Sequence, residues 1–233
     1  MKIALLGYGK MGQAIEQIAI DRGHEIVLKI DKNTPNYSLN NIDVVIEFST
    51  PESAFGNISK ALEAGIPVVA GTTGWLAQYD EAVALCKANN TAFLYASNFS
   101  IGVNIFFEIN KTLAKLMKNH QEYAVSLEEI HHTQKLDAPS GTAISLAEAI
   151  IEESNKTDWT LNEATETQIP IVAKRIDNTP GTHIVTYQSE IDTIEIKHTA
   201  HNRKGFALGA VLAAEWIFGK KGVFSMKEVL FNN

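Results

Sequence analysis

Between Glu129 and Thr142 the sequence runs E-I-H-H-T-Q-K-L-D-A-P-S-G-T, the densest cluster of reactive polar side chains in the chain. A histidine titrates near neutrality and can give or take a proton, and a lysine does the same when its surroundings lower its proton affinity. His131, His132 and Lys135 therefore supply candidate proton donors. Ser140 is a candidate N-cap for a helix carrying Ile144, Leu146, Ala147 and Ile150, which aims the amides of Gly141 and Thr142 at an incoming carboxylate or phosphate. One histidine alone reads as a packed side chain, and S-G-T alone reads as a cap. Together in one short stretch they make a candidate site. A second cluster, E-I-K-H-T-A-H-N-R-K-G-F-A from Glu195 to Ala207, holds His198, His201, Arg203 and Lys204. His201 and Lys204 read as a solvated turn, while Arg203, one of three arginines, suits a role in joining domains or binding an anion.

A glycine loop, G-Y-G-K-M-G, spans Gly7, Tyr8, Gly9, Lys10, Met11 and Gly12 and directly follows a strand-like run, Lys2 to Leu6. Gly7 permits a tight turn, Gly9 lets the backbone approach a pyrophosphate, and Gly12 lets helix and strand pack closely. Asp31 follows roughly 20 residues later, where a carboxylate would bond the hydroxyls of an adenine ribose. Lys32 beside it is able to pair with a 2′-phosphate, so NADH and NADPH both stay open as cofactors. E-F-S-T-P-E (Glu47 to Glu52) and A-G-T-T-G (Ala70 to Gly74) lie at the ends of further strand-like runs and are read as lining the same cleft.

The elements that must position these groups alternate in the first half. Strands are expected at Lys2 to Leu6, Glu25 to Ile30, Val44 to Phe48, Pro67 to Ala70 and Ala92 to Ala96, with helices at Gln13 to Asp21, Glu52 to Ala64 and Ala77 to Ala88. Short connections of this kind imply a doubly wound parallel sheet. After Asn98 the alternation stops: a helix over Val103 to Met117, a strand over Tyr123 to His131, a helix after Pro139 and two β-rich runs within Ile184 to His198 suggest an α+β domain with a mostly antiparallel sheet. The expected fold is thus α/β, a Rossmann-type doubly wound parallel-sheet domain plus an α+β domain with a mostly antiparallel sheet that carries the candidate substrate cluster. Its boundaries are 1–100 with 206–233 for the first, to which the apolar helix Phe206 to Phe218 returns, and 101–205 for the second.

Twenty Lys and Arg against 27 Asp and Glu give the 233-residue chain a formal charge of −7, which argues against nucleic-acid and polybasic membrane binding. The charge is uneven. Glu148, Glu152, Glu153, Asp158, Glu163 and Glu166, against Lys156 alone, concentrate most of it just after the reactive cluster. The single cysteine, Cys86, forms no internal disulfide and no cysteine zinc site is possible; no metal is expected, and a reducing cytoplasm is the expected compartment. No run of about 18 apolar residues suggests a membrane span.

The ordered strings G-Y-G-K-M-G, E-F-S-T-P-E, A-G-T-T-G, A-S-N-F-S-I-G-V-N, E-I-H-H-T-Q-K-L-D-A-P-S-G-T-A and E-I-K-H-T-A-H-N-R-K-G-F-A-L-G-A resemble those of the dihydrodipicolinate reductases over nearly the full length. The H-H-x-x-K-x-D-A-P-S-G-T string is the specific one; the glycine loop is not. The resemblance implies catalytic positions at His131 and Lys135 and substrate binding by His132, Ser140, Gly141 and Thr142. It places Gly7 to Gly12, Asp31, Lys32, Gly71, Thr72, Thr73, Ala96, Ser97, Asn98 and Phe99 around NADH or NADPH. It further implies a small cyclic dicarboxylate substrate in the diaminopimelate route to lysine, and a homotetramer built through the second domain. The chain departs from the family's usual pattern in being shorter than many members, in Glu47 and Ser49 where Asp and Thr are common, and in Asp31-Lys32 where Glu-Arg is common. Two other classes compete. A semialdehyde dehydrogenase needs a thiolate nucleophile, and Cys86 lies in a helical core pattern. A dinucleotide sensor would have no use for His131, His132, Lys135 and Ser140 together.

Overall fold

The computed structural model describes residues 1–31, 33, 34, 37–202 and 204–232. Two compact units divide the chain, one formed by residues 1–101 with 204–233 and the other by residues 102–203. Lys32 and Arg203, both singled out above, lie outside the described residues.

In chain order, the first unit contains β1 (Lys2–Leu6), α1 (Lys10–Asp21), β2 (Glu25–Ile30), β3 (Val44–Glu47), α2 (Pro51–Glu63), β4 (Val68–Ala70), α3 (Tyr79–Ala88) and β5 (Ala92–Tyr95). The second contributes nearly all of α4 (Ile101–Met117), then β6 (Ala124–His131), α5 (Gly141–Glu153), β7 (Asp158–Leu161), β8 (Gln168–Arg175), β9 (Gly181–Gln188) and β10 (Thr193–Ala200). The chain then re-enters the first unit as α6 (Lys204–Ile217), β11 (Gly222–Phe224) and α7 (Met226–Phe231). Four of these, β7, β8, β11 and α7, lie beyond the elements read from the sequence.

The first unit is a six-stranded sheet in the order β11-β5-β4-β3-β1-β2, with every neighbour parallel. Strand alternation divides its side chains between two apolar layers. Ile3, Leu5, Val44, Ile46, Val69 and Leu94 face α1 and α6. Ala4, Leu6, Val45, Val68, Ala70 and Phe93 face α2 and α3, where Cys86 is fully buried as a core residue. The order reverses between β1 and β3, and a doubly wound sheet binds its ligands at the carboxyl ends beside such a reversal.

The helix α6 approaches the main chain at the end of β5 very closely. A Cβ on Gly209 would lie 1.7 Å from the carbonyl oxygen of Phe99, so only glycine fits without backbone movement. Gly209→Ala should destabilise the first unit by on the order of 2 kcal/mol. Urea unfolding followed by tryptophan fluorescence checks this, and an unchanged midpoint would refute the close approach.

The second unit carries a five-stranded sheet in the order β10-β9-β6-β8-β7. Its two longest ladders, β10 with β9 and β9 with β6, are antiparallel, whereas β8 runs parallel to both β6 and β7. Val125, Leu127, Ile169, Ile171, Val185 and Tyr187 form a face covered by α4 and α5 through Phe106, Ala114, Ala143, Leu146, Ala147 and Ile150. Along β6 the buried phase continues from Val125 and Leu127 to Glu129 and His131, so the apolar layer gives way to charge at the end of the strand.

Candidate active site

In the first unit the glycine loop is built as its sequence requires. Gly7 has φ of +106°, and a Cβ there would meet the Phe48 carbonyl oxygen at 1.9 Å. A Cβ on Gly12 would lie 2.3 Å from the Gly7 oxygen, while Gly9, the N-cap of α1, has nothing within 4 Å of its Cβ position. Gly7 and Gly12 thus close the turn, and Gly9 leaves room above the orphan amides of a helix start, as an anionic pyrophosphate needs.

The other proposed cofactor contacts follow the same edge of the sheet. Gly71, Thr72 and Thr73 follow β4, and Ala96, Ser97, Asn98 and Phe99 follow β5. Gly71 lies over the Phe48 ring, which a Cβ would meet at 2.2 Å; Phe48 in turn tilts against Phe99 at 5.5 Å between ring centres. Phe99 is buried in the core and forms part of the floor of this edge rather than an open surface. Thr72 is turned inward, its hydroxyl donating to Glu47 Oε1 at 3.0 Å and accepting from the Ser49 amide at 2.8 Å. Glu47 is fully buried, burial raises its pKa, and it accepts from the Ser49 amide and hydroxyl, so one carboxyl ties the strand-end loops together. Asp31 follows β2 and uses Oδ1 to accept from the Asn33 amide at 2.8 Å and the Thr34 hydroxyl at 3.1 Å. It is a turn former as well as a ribose candidate. Tyr8 pairs with Glu16, which bridges to Lys29, and the Lys29 ammonium lies 4.9 Å from the centre of the Tyr8 ring.

In the second unit the reactive cluster is drawn together from four elements. His131 ends β6 and is 7% exposed; His132 and Lys135 follow in a turn closed by the Lys135 amide donating to the His132 oxygen at 3.1 Å. The Lys135 ammonium is held by both oxygens of Asp137, at 2.8 and 2.7 Å, which lowers the Asp137 pKa. Ser140 caps α5, its hydroxyl accepting from the Ala143 amide at 3.2 Å. The amides of Gly141 and Thr142 in the same first turn have no helical acceptor and are free to meet an anion.

Three residues of this cluster had no role in the sequence reading. Glu129, fully buried, accepts from the Ser140 amide through Oε2 at 3.0 Å and from both terminal nitrogens of Arg175 through Oε1, each at 3.3 Å. Arg175 also donates to the carbonyls of Lys135 at 3.2 Å and Asp137 at 2.6 Å, stitching down the loop that carries Lys135. His183 on β9 lies 3.1 Å from the Ser140 hydroxyl through Nε2, and its ring meets that of His131 edge to face at 5.0 Å. Strand register explains the meeting: Glu129 is opposite His183 and His131 is opposite Arg175. Only the alternation of β9, which puts His183 in phase with buried Val185 and Tyr187, hinted at it in the sequence.

Burial is the main cause that lowers the pKa of His131, partly offset by the neighbouring Glu129 carboxylate. Burial and the positive charges around it push His183 down to about 3. Both rings are therefore predominantly neutral at pH 7, and His131 can be charged by a nearby anion. Glu129, His131 and His183 each offer a ligand-type atom, all within 4.8 Å of one another. The cation facing Glu129 is the Arg175 guanidinium, so the arrangement reads as a proton-handling network rather than a metal centre.

A parallel sheet with an intact dinucleotide loop, and in the same chain a buried histidine–carboxylate network beside an anion-ready helix start, define a nicotinamide-dependent oxidoreductase. The family model for the N-terminus of dihydrodipicolinate reductase matches residues 1–99, and that for its C-terminus matches residues 102–230. The chain belongs to the dihydrodipicolinate reductase family. It is 58% identical to the 4-hydroxy-tetrahydrodipicolinate reductase of Christiangramia forsetii, covering 99% of this chain and 98% of that one. The enzyme of the same name from Lawsonia intracellularis is 32% identical, over 95% of this chain and 96% of its own. A dipicolinate-bound dihydrodipicolinate reductase from Paenisporosarcina sp. TG-14 shares the fold, with a TM-score of 0.77 at 23% identity over 98% of both chains.

Proposed function

We propose that this protein reduces 4-hydroxy-tetrahydrodipicolinate to tetrahydrodipicolinate, with loss of water, in the diaminopimelate route to lysine. The observation that carries the reading is the clustering of His131 with Glu129 and His183 at the start of α5: Glu129 accepts from the Ser140 amide, His183 lies 3.1 Å from the Ser140 hydroxyl, and His131 Nδ1 lies 3.5 Å from Glu129. Relatives that match over nearly all of this chain carry the same activity in their names. Residues 1–100 and 206–233 bind the dinucleotide, and residues 101–205 bind substrate.

Reduced nicotinamide supplies the hydride. The protein makes the ring a better acceptor and delivers the proton where negative charge builds. His131 serves as the acid or relay. Lys135, held by Asp137, stabilises charge on the ring-nitrogen side, while His132, Ser140 and the Gly141 and Thr142 amides take a substrate carboxylate. Gly7, Tyr8, Gly9, Lys10, Met11, Gly12, Asp31, Lys32, Gly71 to Thr73 and Ala96 to Phe99 hold the cofactor.

The enzyme works in the cytoplasm as a homotetramer assembled through its second unit. Exposed apolar side chains on and beside the β9–β10 hairpin, Ile191 and Ile194, support that assembly, which sedimentation tests. Among the described residues no helix is long and apolar enough to cross a membrane. Incubation with NADH or NADPH and freshly generated hydroxytetrahydrodipicolinate should oxidise the cofactor, and paired KM values establish the preference. Binding without oxidation would identify a sensor instead.

A further inference from the structure

Resting on the reductase reading, we propose that Glu129 is a positioning residue for the reduction: its single buried carboxylate is hydrogen-bonded to the first turn of α5 and faces His131 Nδ1, setting the two in relation, with Arg175 as counter-ion. Glu129 occupies a place in β6 whose phase mates Val125 and Leu127 are apolar core residues. A carboxylate there is costly to desolvate and is retained only with its oxygens satisfied. Both are. Oε1 receives Arg175 from β8, and Oε2 receives the Ser140 amide while facing His131 Nδ1 at 3.5 Å and His183 Nε2 at 3.8 Å. One side chain thereby connects β6, β8, β9 and α5.

The consequence for His131 is chemical. A carboxylate beside Nδ1 favours a proton on that nitrogen and stabilises the imidazolium, which leaves Nε2 as the working atom. Gly181 flanks Nε2; a Cβ there would lie 3.1 Å away, so the absence of a side chain keeps that nitrogen uncrowded. The charged and titratable groups acting on His131 are Glu129 on its own strand, Lys135 and Asp137 from the following loop, Arg175 on β8 and His183 on β9. Burial and the cations oppose the charged ring, and Glu129 is the largest influence in its favour.

The test compares the parent enzyme with Glu129→Gln and Arg175→Gln. The His131 imidazole is titrated by NMR without substrate, and kcat and KM are measured across pH. Glu129→Gln should move the His131 titration to lower pH by about half a unit or more. It should also reduce kcat at neutral pH about tenfold, as expected for a misplaced acid. Arg175→Gln should move the titration to higher pH, and it tests the same coupling should Glu129→Gln not fold. Activity losses with an unmoved titration would overturn the proposal and reduce Glu129 to a packing role. A moved titration with kcat within about twofold of the parent would overturn it as well. Because the NMR titration needs no turnover, failure of this proposal is distinguishable from failure of the reductase assignment.

Discussion

His131→Ala is expected to lower kcat by about a hundredfold or more at neutral pH, the usual contribution of a placed general acid. The pH behaviour should identify the role. In the free enzyme burial holds the His131 pKa below its ordinary value, so kcat/KM should fall as pH rises through that lowered value. A bound dicarboxylate adds negative charge that favours the imidazolium, so the corresponding limb of kcat should lie at higher pH than that of kcat/KM. Both limbs should vanish in His131→Ala. Lys135→Ala should cost a similar factor but keep the limbs, because the ammonium, pinned by Asp137 at 2.7 and 2.8 Å, acts as a fixed charge. Unchanged turnover in either variant would remove that residue from the mechanism.

The second large effect concerns stability in acid. His183 is 5% exposed, and its ring resists protonation down to about pH 3, against an ordinary value of 6.5. An unfolded chain takes up that proton near pH 6.5 while the folded one does not, so stability is full above that value and is lost as pH falls toward 3. The complete loss from this one group is about 5 kcal/mol. His131 and His198 are lowered in the same direction, chiefly by burial, and steepen the decline. Urea unfolding at pH 7, 5.5 and 4.5 should show a marked drop for the parent protein. His183→Gln, which keeps a polar atom near the Ser140 hydroxyl, should flatten the dependence by about one proton. An equal slope in the two proteins would refute the role of His183.

The sequence was most legible where pattern and chemistry coincide. The first five strands show as short apolar runs bounded by turn formers such as Gly, Asn, Asp, Ser and Pro, and the cap at Ser140 shows as Pro-Ser-Gly at a helix start. The strand β8 was hidden because Pro170 interrupts it and its second half ends in Lys174 and Arg175, which read as surface. Missing β8 meant missing Arg175, and with it the counter-ion of Glu129. His183 was hidden for a different reason. Its partners Glu129 and Ser140 are 54 and 43 residues away in the chain, and only the pairing of β6 with β9 brings them together. Local pattern reveals which residues a strand buries, but not which strand lies beside it.

The discontinuous first unit has a consequence for synthesis. α6 supplies Ala207, Ala210, Val211, Ala213, Ala214 and Ile217 to one layer of its core, and β11 completes the sheet beyond β5. Neither exists until the ribosome has passed residue 203, so the nascent first hundred residues must wait with one apolar layer covered only in part, by α1. The inserted unit, residues 102–203, is complete before the unit that precedes it. Truncation near residue 100 should accordingly yield an aggregation-prone fragment rather than a free-standing domain.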